Sequence, residues 1–146
     1  MRIMKLRALL YALSTVMPCV SYAMTLPPLV CPTSLEPSSI KIEGVENGWT
    51  PFVKAPMYLS GAAPIYGPPD TLGDLVPDGE RRGKGTVSTV YDLDGFFKEG
   101  KWMQCFYGEY SQLTLSRRMP DATKTCTITY RKGEKAGQNK ITIACR

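Results

Sequence analysis

No histidine occurs among the 146 residues of this sequence. That absence removes Ser-His-Asp triads, Cys-His dyads, Cys₂His₂ zinc sites and any imidazole pH switch at once. No helical periodicity exceeds two turns, which excludes a coiled coil. Apart from one N-terminal stretch, no apolar run approaches bilayer-spanning length. The sequence also lacks a concentrated basic face of the kind nucleic acid requires, since Lys and Arg are scattered and Arg81-Arg82-Gly83-Lys84 and Arg117-Arg118 are their densest spots. Glycine and proline are plentiful, 13 and 12 residues, which points to turns and short strands.

The single apolar stretch reads as a secretory leader. Arg2, Lys5 and Arg7 form a positive start, residues 8–20 are mostly apolar, and Ser21-Tyr22-Ala23 places small residues at −3 and −1. We expect a signal peptide over 1–23 with cleavage after Ala23, one disulfide-bonded β domain over 24–146, and a periplasmic or secreted product. The leader carries three of the 18 basic residues and none of the 13 acids, so the remainder has a net charge of +2 rather than +5. Cys19 raises the alternative of a lipoprotein, but Pro18 immediately before it fits a lipidation motif poorly, and the cysteine is read as discarded with the leader.

Four cysteines then remain, Cys31, Cys105, Cys126 and Cys145, an even number in a short exported chain. Residues 125–130 (T-C-T-I-T-Y) and 140–145 (K-I-T-I-A-C) both alternate and are rich in β-branched residues, with a polar, glycine-bearing segment between them. Pairing Tyr130 with Ile141 sets Ile128 against Ile143 and Cys126 against Cys145, and it segregates the apolar residues onto one face. This register predicts a Cys126–Cys145 disulfide and, by elimination, Cys31–Cys105. A Cys₄ metal site would need closely paired cysteines, which are lacking.

Further short strands are expected at 40–45, from Phe52, at 57–59, 86–93, 102–107 and 113–117, with a turn at Asn47-Gly48. Residues 60–85 hold ten Gly or Pro. They predict a largely irregular segment with one helical turn near Asp70, carrying Leu72 and Leu75 on one side, and a mobile loop around Arg81, Arg82 and Lys84 where trypsin should cut first. Trp49 and Trp102 are read as core or core-edge residues. The fold class is mainly β: a single small domain built as an antiparallel meander, sandwich or incomplete barrel, with at most one short helix and two disulfides.

Several landmarks recur in a recognisable order: Cys31-Pro32, Gly48-Trp49, Tyr66-Gly67-Pro68-Pro69-Asp70, Leu75-Val76-Pro77, Trp102-x-x-Cys105-x-Tyr107, Leu115-x-x-x-Met119-Pro120, Cys126 and Ile143-Ala144-Cys145. In this order they resemble an uncharacterised family of small exported proteobacterial proteins with four mature cysteines. The resemblance implies a leader, two disulfides and one domain. It brings no catalytic residues.

Candidate chemistry is sparse. Asp92-Leu93-Asp94-Gly95 hints at calcium, but the twelfth position from Asp92 is Met103 where an EF-hand loop needs glutamate, so a turn is the better reading. No spacing selects a pair among the acids for glycoside hydrolysis. Arg117-Arg118 has the chemistry to hold an anion, although adjacent strand residues commonly face solvent. Tyr66, Pro68 and Pro69 form a candidate aromatic-proline docking surface, and Arg81 and Arg82 a second candidate contact. No catalytic residue, metal or cofactor is expected. The reading is an exported envelope protein that binds another envelope or secreted protein, as an inhibitor or immunity-type partner. The alternative is a structural or accessory subunit of an envelope assembly, and an enzyme is disfavoured.

Overall fold

The computed structural model describes residues 28–146. The leader, its cleavage site and Cys19 lie outside the described residues. Among these residues nine strands are present: β1 (Ser34–Leu35), β2 (Met57–Tyr66), β3 (Gly73–Asp74), β4 (Gly79–Gly83), β5 (Thr86–Asp92), β6 (Lys101–Tyr107), β7 (Leu113–Arg118), β8 (Thr125–Lys132) and β9 (Asn139–Cys145). Two antiparallel sheets form from them, one in the order β1-β2-β6-β7 with β3 also on β2, the other in the order β4-β5-β8-β9. The fold is therefore mainly β, as expected. The strands from β5 onward do not make one meander, because β5, β8 and β9 lie in one sheet while the β6–β7 hairpin lies in the other.

Alternation builds the core. On β6, Met103, Cys105 and Tyr107 are buried, and they meet Tyr91, Cys126 and Ile128 of the facing sheet together with Leu59, Leu93 and Met119. The β8–β9 hairpin has the register its pattern predicts, with Cys126, Ile128 and Tyr130 opposite Cys145, Ile143 and Ile141. Cys126 is bonded to Cys145, and Cys31 is bonded to Cys105 across a separation of 74 residues, which ties the entering arm to the middle of β6.

The segment 60–85 departs from expectation. Met57–Tyr66 is one ten-residue strand. Its small residues, Ser60-Gly61-Ala62-Ala63, lack the β-branched signature of a strand, but they leave room for Phe106, whose Cδ2 lies 3.0 Å from where a Gly61 Cβ would stand. Pro64 is accommodated where no strand forms a backbone ladder with that side of β2, since β1 pairs only with Met57 and Tyr58 and β3 only with Ile65 and Tyr66. The helical turn is a 3₁₀ turn over Pro69–Thr71 that ends at Leu72 in the left-handed region (φ 51°). Leu72 consequently points to solvent, and only Leu75 packs against the core. Arg81 and Arg82 belong to strand β4 rather than to a loop.

Residues 40–45 and 52–53 form no strand, although the turn at Asn47-Gly48 is present, with Trp49 N–H donating to the Glu46 carbonyl at 3.1 Å. Among the described residues no partner strand lies beside this arm, so its alternating residues form no ladder. Trp49 is 74% exposed and outside the core, whereas Trp102 is half-buried at the core edge.

Candidate partner-binding surface

The β4–β5 hairpin arises from a two-residue turn, Lys84-Gly85, with Gly85 at φ +72°, a conformation that disfavours side chains. The β-branched run Thr86-Val87-Ser88-Thr89-Val90 then pairs with β4 on one side and β8 on the other. Register places side chains in rows across the sheet. Arg81, Ser88, Thr129 and Thr142 form one row, and Gly83, Thr86, Arg131 and Lys140 the next. These rows share the solvent-facing side, where the Ser88 and Thr129 hydroxyls are hydrogen-bonded at 2.9 Å. The intervening row of Arg82, Val87, Tyr130 and Ile141 faces the other sheet.

Tyr130 O–H donates to the Ala62 carbonyl and Asn139 Nδ2 to the Ser60 carbonyl at 2.7 Å, which fastens β8 and β9 to the ladder-free side of β2. The β4–β5 turn at Lys84-Gly85 is exposed, whereas the β8–β9 loop lies against Glu109, whose Cα is 3.4 Å from where a Gly137 Cβ would stand. Arg82, Lys132 and Asn139 border a hollow of about 280 Å³ beside the β4–β5 turn. All five residues of β4 are exposed, and Arg82 Nε donates to Glu80 Oε1 at 2.7 Å.

Charge is segregated along the molecule. Residues 79–86 and 131–140 together hold seven basic and two acidic side chains, a net +5, so the rest of the described chain is −3. Lys140 donates to Glu134 at 2.8 Å, and that bond, aided by the lysine charge, holds the Glu134 carboxyl below its ordinary range. At the other end Asp70, Asp74, Asp78, Asp92, Asp94, Glu99 and Asp121 are interspersed with Lys98, Lys101, Arg118 and Lys124, so the surroundings of the start of β6 are only weakly acidic.

Tyr66, Pro68 and Pro69 belong to this end. Tyr66 packs against Phe97 with ring centroids 5.6 Å apart, and Thr71 Oγ1 sits between the Tyr66 and Pro68 carbonyls at 2.9 and 2.7 Å. The segment is thus a rigid turn, with Leu72, Val76 and Phe96 projecting into solvent nearby. The two candidate contacts are not brought together: one closes β2, the other lies on β4 in the opposite sheet. Arg131 and Lys140 share the solvent-facing side with Arg81, and Lys132 borders the same hollow as Arg82, a grouping that sequence alone does not show. Basic residues flanking the β8–β9 loop are a visible signal, but placing them beside Arg81 requires the β5–β8 pairing.

Arg117 and Arg118 both border a hollow beside Met119 and Thr123 but do not act as a paired grip on an anion. Arg118 Nη2 pairs with Asp121 at 3.2 Å, and as neighbours on β7 the two side chains point to opposite sides of the sheet. Asp92 closes a turn, its Oδ1 accepting from Asp94 N–H at 2.8 Å. Among the described residues no group of three or more Cys, Asp or Glu is placed to hold a metal ion. The surface offers charge, exposed backbone and apolar side chains, the materials of protein recognition.

Comparison with known proteins adds the family. No curated protein and no solved structure matches the chain. Residues 54–146 match the family model for the type VI secretion system Tli immunity protein. The matched span runs from just before β2 to the end of β9, and so contains every strand of both sheets except β1, together with the basic hairpin, without the arm before residue 54. With well over half of its residues matched, this chain belongs to the family of type VI secretion system Tli immunity proteins.

Proposed function

We propose that this chain is an exported immunity protein that binds a secreted effector protein and neutralises it by stoichiometric occupation, without turnover. The family match over residues 54–146 is the observation that carries the reading. Two disulfides support an oxidising compartment, because such bonds persist in the periplasm and outside the cell and are rare in the cytosol. The leader over 1–23 supplies the route there, and residues 24–146 are the working domain. The surface chemistry agrees with binding: a rigid scaffold bearing an exposed strand edge and exposed aromatic residues.

The test is genetic and compartmental. Deleting the gene from a strain with active type VI secretion should make it sensitive to its own siblings, and exported protein should restore protection. A version lacking residues 2–23 should fail to protect although it accumulates. Protection by that cytosolic version, or a deletion strain no more sensitive than its parent, would overturn the reading.

A further inference from the structure

We infer that β4 is the docking edge of the protein and that it takes up an extended, acidic segment of the effector as an added antiparallel strand. This inference rests on the immunity reading above. Strand β4 pairs with β5 alone, and its other edge is unpaired among the described residues. The closing pair Gly83–Thr86 of a two-residue turn exchanges both of its hydrogen bonds, and by alternation so does Arg81–Ser88. Glu80 and Arg82 therefore direct their N–H and C=O groups to the free side. An unpaired edge of this kind is a template for another strand.

Charge selects the occupant. Arg81 has no ion-pair partner among the described residues, whereas Arg82 is matched by Glu80. The hairpin and the neighbouring strand ends carry a net +5, a field that attracts an acidic segment. The same field opposes a second copy of this chain, because edge-to-edge pairing would set two basic ends together.

The experiment uses the full mature protein and the secreted effector against which it protects. Glu80→Pro removes an outward N–H without touching a bond to β5 and also removes an acid. If charge alone governed binding, this change would strengthen it; docking at the edge predicts that it weakens the complex roughly ten-fold or more. Glu80→Gln should bind at least as well as the wild type. Arg81→Glu should weaken binding and flatten its salt dependence. In the wild-type complex, hydrogen exchange at the Glu80 and Arg82 amides should slow.

Wild-type affinity in Glu80→Pro, or unchanged exchange at those amides while the complex forms, would overturn the edge and leave the immunity reading standing. A dimer that Glu80→Pro abolishes, with effector binding intact, would reassign the edge to self-association and overturn it equally. No complex and no protection with the wild-type chain would overturn both.

Discussion

Lys101 is only 3% exposed, yet it belongs to a type of residue seldom buried. Its Nζ donates to the carbonyls of Asp121 at 2.7 Å and Thr123 at 2.8 Å and lies 5.1 Å from the Phe97 ring centroid. One side chain thus fastens the 119–124 turn to the start of β6 while its own donors are satisfied. Lys101→Met keeps the apolar stem and abandons both carbonyls, and it should cost about 2–3 kcal/mol in urea denaturation. Tyr107 is fully buried, and its hydroxyl donates to the Pro32 carbonyl at 3.0 Å. Burial pushes its pKa from 10.0 to about 12 and raises those of Tyr91 and Tyr130 as well. The folded state therefore keeps protons that the unfolded chain releases from about pH 10 upward. Stability should be fully present below that point and decline towards pH 12, as denaturation curves taken below and inside the window will show. Tyr107→Phe should flatten part of the decline.

At the scale of elements, the two disulfides act over different lengths of chain. Cys126–Cys145 spans 19 residues inside one hairpin, and Cys31–Cys105 spans 74 and joins the arm to β6. The chain-entropy relation gives roughly 3 kcal/mol for the first and roughly 4.5 kcal/mol for the second. Replacing Cys31 and Cys105 together by Ala should therefore lower the denaturation midpoint more than replacing Cys126 and Cys145. The weakest element is the arm over 40–56, which has no strand partner among the described residues and leaves Phe52 82% exposed. Since β4 is held along its length by β5, trypsin should first cut the oxidised protein at Lys41 or Lys54, not at Arg81. Both bonds lie between Cys31 and Cys105, so the fragments should separate only on reduction. First cleavage at Arg81 or Arg82 would mean that the β4–β5 pairing opens more readily than the arm.

For the whole molecule, the relevant property is the concentration of net +5 at the hairpin end, against a net −3 spread over the other described residues. The four ion pairs among the described residues are all solvent-exposed and contribute little to stability. Their unmatched neighbours instead shape the long-range field. Association with the effector should accordingly be fast at low salt and slow steeply as ionic strength rises, with dissociation much less affected; stopped-flow measurement separates the two. A salt-independent association rate would place recognition on an uncharged surface such as the one around Trp49 and Phe52.

Local pattern alone determined the class and the clearest hairpin. Strict alternation in β8 and β9 admits one register that buries Cys126, Ile128 and Tyr130 on the side of Ile141, Ile143 and Cys145, because a one-residue slip would expose all of them. Residues 60–85 were not legible in the same way. Gly61, Ala62 and Pro64 form a strand because Phe106 and the ladder-free side of β2 accept them, and Arg81 lies on a strand because β5 is there to pair with it. Conversely, the alternating residues 40–45 form no strand because no partner among the described residues stands beside them. The candidate site divides likewise. Arg81 and Arg82 are visible as a basic pair in the sequence, but their union with Arg131 and Lys140 is decided only by tertiary structure, since strand pairing is a contact between segments about 50 residues apart that composition and periodicity do not encode.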